Sequence, residues 1–239
     1  DNNNNNANQN GGAIFIADIC QDISIERTEF YSNTQMSSSS NGNAIFFQQP
    51  ATTIEGTKTI YDCTFVDCGT KGSVVYSYGA KINFFQSKIK FTQSGIGAKG
   101  LHVQKPCNIH IANSTFTGCF TNENNIGAGF IFGSDSASTD PGLVTLESTV
   151  FENNNGTNGN AIFGYFYDIP VIRDVTIRGH KKGNFIMSLF FNRAFENDVV
   201  LERCIFEDNY FSADKDDKPD GGGSGIWIAK AIKPNSIPI

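Results

Sequence analysis

One short pattern recurs along the whole chain and restricts the fold more than any other feature. Gly11-Gly12-Ala13-Ile14-Phe15-Ile16 returns as Gly42-Asn43-Ala44-Ile45-Phe46-Phe47, as Gly159-Asn160-Ala161-Ile162-Phe163 and, more loosely, five further times. The first large apolar residues are Ile14, Ile45, Val74, Leu101, Phe130, Ile162, Phe185 and Ile226, spaced 23 to 41 residues apart and about 30 on average. A period of this size marks a solenoid, a propeller or an array.

A second motif keeps the same beat. Its anchors are Phe30, Phe65, Ile89, Phe116, Phe151, Ile177 and Phe206, and five residues before each stands Ile25, Ile60, Phe84, Ile111, Leu146, Ile172 or Leu201. Seven before stand Ile23, Lys58, Ile82, Ile109, Val144, Pro170 and Val199, with Lys58 the polar exception. On one strand, residues two apart share a face. The spacing seven, five, zero breaks that parity, so a bend is expected three before each anchor. That column reads Arg27, Asp62, Gln86, Asn113, Ser148, Asp174 and Arg203, polar throughout. Three short strands per unit and no helical period predict an all-β, right-handed parallel β-helix of seven to eight coils. At ~4.8 Å per coil it forms a rod of roughly 35 Å.

This reading divides the chain. Residues 1–10, an asparagine run, are disordered or a partial first turn. Residues 11–232 are the β-helix, with insertions near 133–141, 188–196 and 212–223, and 233–239 are a Pro-rich tail. Residues 188–196 are expected to fold over a neighbouring face. The chain does not begin with Met, so it is read as processed or as a fragment, and its coil ends as open unless capped.

Composition narrows the partners. Net charge is −6 with no basic patch, which disfavours nucleic acid, and no apolar run approaches a bilayer span. The six cysteines are Cys20, Cys63, Cys68, Cys107, Cys119 and Cys204. Cys20 shares a column with Cys107 three coils away, and Cys68 with Cys119 two coils away. At ~4.8 Å per coil these pairs exceed the ~7 Å reach of a disulfide, so small buried thiols are expected. No Cys-x-x-Cys pair suggests zinc, and no metal or other cofactor is expected.

Gly-Gly-Ala-Ile at 11–14 with Phe-Tyr-Ser-Asn at 30–33 resembles the paired repeat of the polymorphic outer-membrane-protein family. Phe151-Glu-Asn-Asn154 and Phe206-Glu-Asp-Asn209 match its Phe-x-x-Asn half, while Phe65-Val-Asp-Cys68 and Phe116-Thr-Gly-Cys119 end differently. Such repeats occur in bacterial surface passengers and in large protist surface proteins. The asparagine run and the sequons are more like the latter. The resemblance implies surface display or adhesion, and an extracellular or cell-surface location.

The chemistry is weighed column by column. Arg27 lies beside Asp62 in the corner column, and Asp174 beside Arg203. Each pair is either a piece of an acid–base site or mutual neutralisation between coils, and the second is the stronger reading. His102, His110 and His180 fall in different columns and are expected at the surface. The excursion with Asp214, Asp216, Asp217 and Asp220 lacks the spacing of a calcium loop. Asn113 and Asn155 head N-glycosylation patterns. The residues after the first-strand anchors should point outward: Phe15, Phe46, Val75, His102, Ile131, Phe163, Ile186 and Trp227. A sheet apolar on both faces is covered, by the chain itself, by a protein partner or by sugar rings. The candidate interaction face is therefore Phe15, Phe46, Ile131, Phe163, Ile186 and Trp227. The expected function is a non-enzymatic structural or adhesive module that meets a protein partner, further copies of itself or glycans. The alternative is a carbohydrate-active enzyme, a lyase or glycoside hydrolase.

Overall fold

The structure is a computed structural model, and it describes residues 6–7, 12–17, 21–35, 42–48, 56–93, 97–104, 108–121, 128–133, 142–156, 159–166, 168–181, 183, 185–191, 199–210 and 225–230. Cys20, Cys107 and the acidic excursion lie outside these residues, as do most of the 133–141 insertion and the 233–239 tail.

The chain winds as a right-handed parallel β-helix with three strands per coil. The first strands of successive coils form an eight-stranded sheet, and the second and third strands form seven-stranded sheets. Every ladder is parallel, and each coil pairs with the next in sequence. Asn6–Ala7 pairs in parallel with Thr34–Gln35, so part of the asparagine run takes strand form.

Both closing columns stack as the spacing requires. Ile60 pairs with Phe84 and Phe84 with Ile111; Phe65 pairs with Ile89 and Ile89 with Phe116. All seven corner residues have positive φ, from 46° to 54°. This left-handed turn costs a non-glycine residue roughly 1–2 kcal/mol, and it recurs because it carries each inward column round the corner. Asn and Asp accept it most readily; Arg27, Gln86 and Arg203 adopt it with their side chains exposed.

The first-strand register differs from the sequence reading at two coils. Leu101 and Ile45 both pair with Val75, not Val74, and Ile162 pairs with Met187, not Phe185. In both coils a branched residue, Val74 or Ile186, stands where Ala13, Ala44 and Ala161 stand elsewhere; the sequence reading places the anchor one residue early in the first, at Val74, and two residues early in the second, at Phe185. Residues 188–191 are likewise no insertion: Met187–Phe191 is a strand between Ile162–Phe166 and Ile226–Lys230. Its Phe190 and Phe191 continue the columns of Tyr165 and Phe166.

Stacked rings fill the shaft. Phe116 lies 5.4 Å from Phe84 and 5.0 Å from Phe151, near-parallel to both. The small column beside the anchors makes room: a Cβ at Gly100 would come within 2.8 Å of the Phe116 ring, and one at Gly129 within 2.7 Å of Phe151. The third coil carries the larger Val74 with the smaller Ile89. Lys58, the polar exception, is fully buried in the shaft, and its ammonium donates to the Gln21 carbonyl.

A second polar column joins the coils. Three residues after the closing anchors stand Asn33, Cys68, Cys119, Asn154, His180 and Asn209; the third coil departs, with an exposed Thr92 bonded to Asp67. Asn154 Oδ1 accepts the Cys119 amide at 2.8 Å, and its Nδ2 donates to the Phe116 carbonyl at 3.1 Å. Asn209 treats the preceding coil in the same way, through His180 N and Ile177 O. The Cys68 thiol donates to Phe30 O. In Phe151-Glu-Asn-Asn154 and Phe206-Glu-Asp-Asn209 the last residue is thus a clamp on the coil before it.

Candidate functional site

With the register set, the outward column of the first sheet reads Phe15, Phe46, Tyr76, His102, Ile131, Phe163, Ser188 and Trp227. Val75 and Ile186 are not in it. Val75 faces the shaft, and Ile186 packs with the core one position before the anchor Met187. Tyr76, which the sequence reading missed, takes the place of Val75. The rings form a chain: Phe15–Phe46 at 5.3 Å, Phe46–Tyr76 at 5.0 Å and Tyr76–His102 at 5.0 Å. A second group joins Phe163, Tyr165, Phe190 and Trp227 at 4.8 to 5.7 Å.

Most of this stripe is closed off. Phe46, Tyr76, Ile131 and Phe163 are only 2–5% exposed in the single chain, whereas Phe15 is 49% and Trp227 39% exposed. Burial pushes the Tyr76 phenol up to about 12, and its hydroxyl bonds Gln104 Oε1. Of the covers the sequence left open, the intramolecular one accounts for the middle. The ends of the stripe, Phe15 and Trp227, face solvent, and His102 between them is half-buried.

Among the described residues the carboxylates meet cations rather than one another. Asp174 receives Arg203 on both oxygens, at 2.6 and 2.7 Å, and this guanidinium holds its carboxyl below the usual range. Arg203 also meets Glu202, and Arg27 pairs with Glu26 at 3.2 Å. Arg173 meets Glu147, and Arg178 meets Glu152 and Glu207. Among the described residues no group of three or more His, Cys, Asp or Glu side chains converges as a metal site would.

The histidines divide. His110 is half-buried, edge-on to Phe85 at 4.8 Å and 3.5 Å from Glu147. His102 is half-buried in the ring chain, where desolvation and then Lys99 bring it down to about 3. His180 corrects the expectation of a surface residue. It occupies the clamp column with no exposure, its Nδ1 2.9 Å from the Asn154 carbonyl. Desolvation lowers its pKa, against hydrogen bonds and the Glu152 charge that raise it. Cys63, Cys68, Cys119 and Cys204 are free thiols, and burial raises all four.

Asn113 sits exposed at a corner with φ 51°. Asn155 is half-buried, and its backbone is tied to the preceding coil through Cys119 O and Thr121 N. One cavity opens on the outer face of the second sheet, about 230 Å³ in volume, lined by Thr57, Lys81, Asn83, Asn108, His110 and Thr145 with Ile109 and Leu143. Compared with protein-family models, with curated proteins and with solved structures, the chain matches none.

Proposed function

We propose that the chain is a non-enzymatic structural or adhesive module of an extracellular or cell-surface protein, built from repeats of the polymorphic outer-membrane-protein type. The observation that carries this reading is the last described coil. Phe206, Ile226 and Ile228 are exposed there, while Ile177, Phe151, Met187 and Leu189 in the same inward columns of earlier coils are fully buried. Its strands Leu201–Glu202, Ile205–Glu207 and Ile226–Lys230 end their sheets with one edge unpaired among the described residues. An apolar cross-section with open parallel edges is a template for another coil. The partner we propose is a second copy, docked head to tail so that its first coil continues the stack. Such a contact is heterologous and propagates.

Sedimentation velocity over a concentration series tests this. Association that disappears in Phe206→Glu/Ile228→Glu while the coil fold persists by circular dichroism supports the reading; a concentration-independent monomer refutes it. The carbohydrate-active alternative rests on Asp174, and a carboxyl held ionised by Arg203 is a poor proton donor. Turnover of any polymer in a glycan panel, lost in Asp174→Ala, would reverse the choice between the two.

A further inference from the structure

The cavity on the second sheet is lined by polar, basic and aliphatic residues. Its floor is the outward column Asn83–His110–Thr145, one residue per coil, fixed by the register of three adjacent strands. Thr57, Lys81 and Asn108 form one wall with Leu143, where Thr57 pairs with Lys81. Asn108 Oδ1 accepts the Leu143 amide at 3.1 Å, which fixes the plane of its amide. The chain is acidic overall, yet no carboxylate lines this cavity. Lys81 has no ion pair among the described residues, and the Asn83 side chain has no hydrogen-bond partner among them. His110 Nε2 makes no hydrogen bond either; Glu147 stays at 3.5 Å and is held by Arg173 at 2.6 Å.

These groups set the chemistry of a ligand. Two amides, two hydroxyls and an imidazole suit a molecule dense in hydroxyl groups, since each offers directional donors or acceptors. One ammonium, with no second cation beside it, suits a single negative charge. A phosphate monoester, which gathers several cations, fits less well. Leu143 and Ile109 supply an apolar wall for a ring's C–H face. At about 230 Å³ the cavity falls below the ~300–1,000 Å³ of drug-sized ligands, which leaves room for one ring and its substituents. Open on its outer side, it can hold one unit of a longer chain.

We propose that this groove is a binding site for a carboxylated sugar, one uronic or sialic acid unit of an oligosaccharide. Lys81 holds the carboxylate, and Asn83, Asn108, His110 and Thr145 take the hydroxyls. The site lies on a different sheet from the ring stripe and away from the exposed coil end, so it stands independently of the module's mode of assembly.

Titration of the whole chain with a galacturonate trisaccharide, 3′-sialyllactose, lactose and inorganic phosphate, followed by amide and imidazole NMR shifts, tests the proposal. One of the two acidic sugars should shift the Asn83 and His110 resonances saturably, and which one does so names the source. Lactose should bind at least about tenfold more weakly. Lys81→Gln should weaken the acidic sugar about tenfold, the worth of one charge-assisted hydrogen bond, while Lys71→Gln outside the groove changes nothing. Both lysines are at least partly exposed, so neither variant endangers the fold. Equal affinity for lactose, an unaffected Lys81→Gln, saturation by phosphate alone, or no shift with any probe overturns the proposal.

Discussion

Replacing Asn154 by Ala tests the idea that one side chain per coil holds the stack together. Asn154 is 1% exposed and spans two coils through the Cys119 amide and the Phe116 carbonyl. Alanine leaves a buried N–H without an acceptor, worth about 1–3 kcal/mol, and a carbonyl with one bond fewer. The vacated amide volume adds a smaller packing loss. The expected sum is about 2–4 kcal/mol, a large share of the ~5–15 kcal/mol that stabilises an ordinary domain. Urea unfolding followed by circular dichroism gives the total. Hydrogen exchange at Cys119 gives the part that belongs to the clamp, which should become the least protected amide of its coil. Asn154→Asp should separate the two bonds. Its carboxylate still accepts from Cys119 but faces the Phe116 carbonyl with a second acceptor. It should therefore be at least as destabilising at neutral pH and recover in part once protonated. A lowered midpoint with the Cys119 amide fully protected would assign the loss to packing and refute the clamp.

Three further outcomes follow from the same geometry. Phe116→Ala should cost about 3–5 kcal/mol in the same assay, because rings stacked on both sides cannot collapse into the gap. Gly164→Ala should cost about 1–3 kcal/mol, since its Cβ would lie 2.5 Å from the Phe166 ring, and Phe166→Leu in the same chain should recover most of that loss. His180 has a folded pKa below its ordinary 6.5, so the unfolded chain binds the proton first; its contribution to stability is whole above pH 6.5 and lost as the pH falls through the folded value. His180→Asn, which restores the residue of the motif, should flatten that acid-side decline in midpoint-versus-pH curves. An unchanged slope would remove His180 as its source.

The closing columns were legible because each anchor is large, apolar and at fixed distance from a polar corner. Parity alone places a bend at each of the seven corners, Arg27 to Arg203; that each is left-handed is shown by the structure. The first-strand anchors were less legible: the adjacent Val74 and Val75 offer two registers one residue apart, which turns every side chain over, and the apolar run Phe185, Ile186, Met187 offers anchors two apart. The first slip hides Tyr76 behind Val75; the second puts Ile186 in the outward column where Ser188 stands. The histidine in the clamp column could have been found from its alignment with Asn154 and Asn209. The groove could not, because Lys81, Asn83, His110 and Thr145 come from three coils and look like ordinary outward polar residues within each.

The repeat by itself determined the architecture: a parallel stack needs only that like residues recur at like spacing, and that is written in the order of amino acids. Only the tertiary structure decided which stretches of the outward stripe are shielded, what Asn154 and its column hold, and where polar groups from separate coils converge. Those depend on distances between residues some 25 to 35 positions apart, across coils whose exact register is a property of packing, not of any one unit.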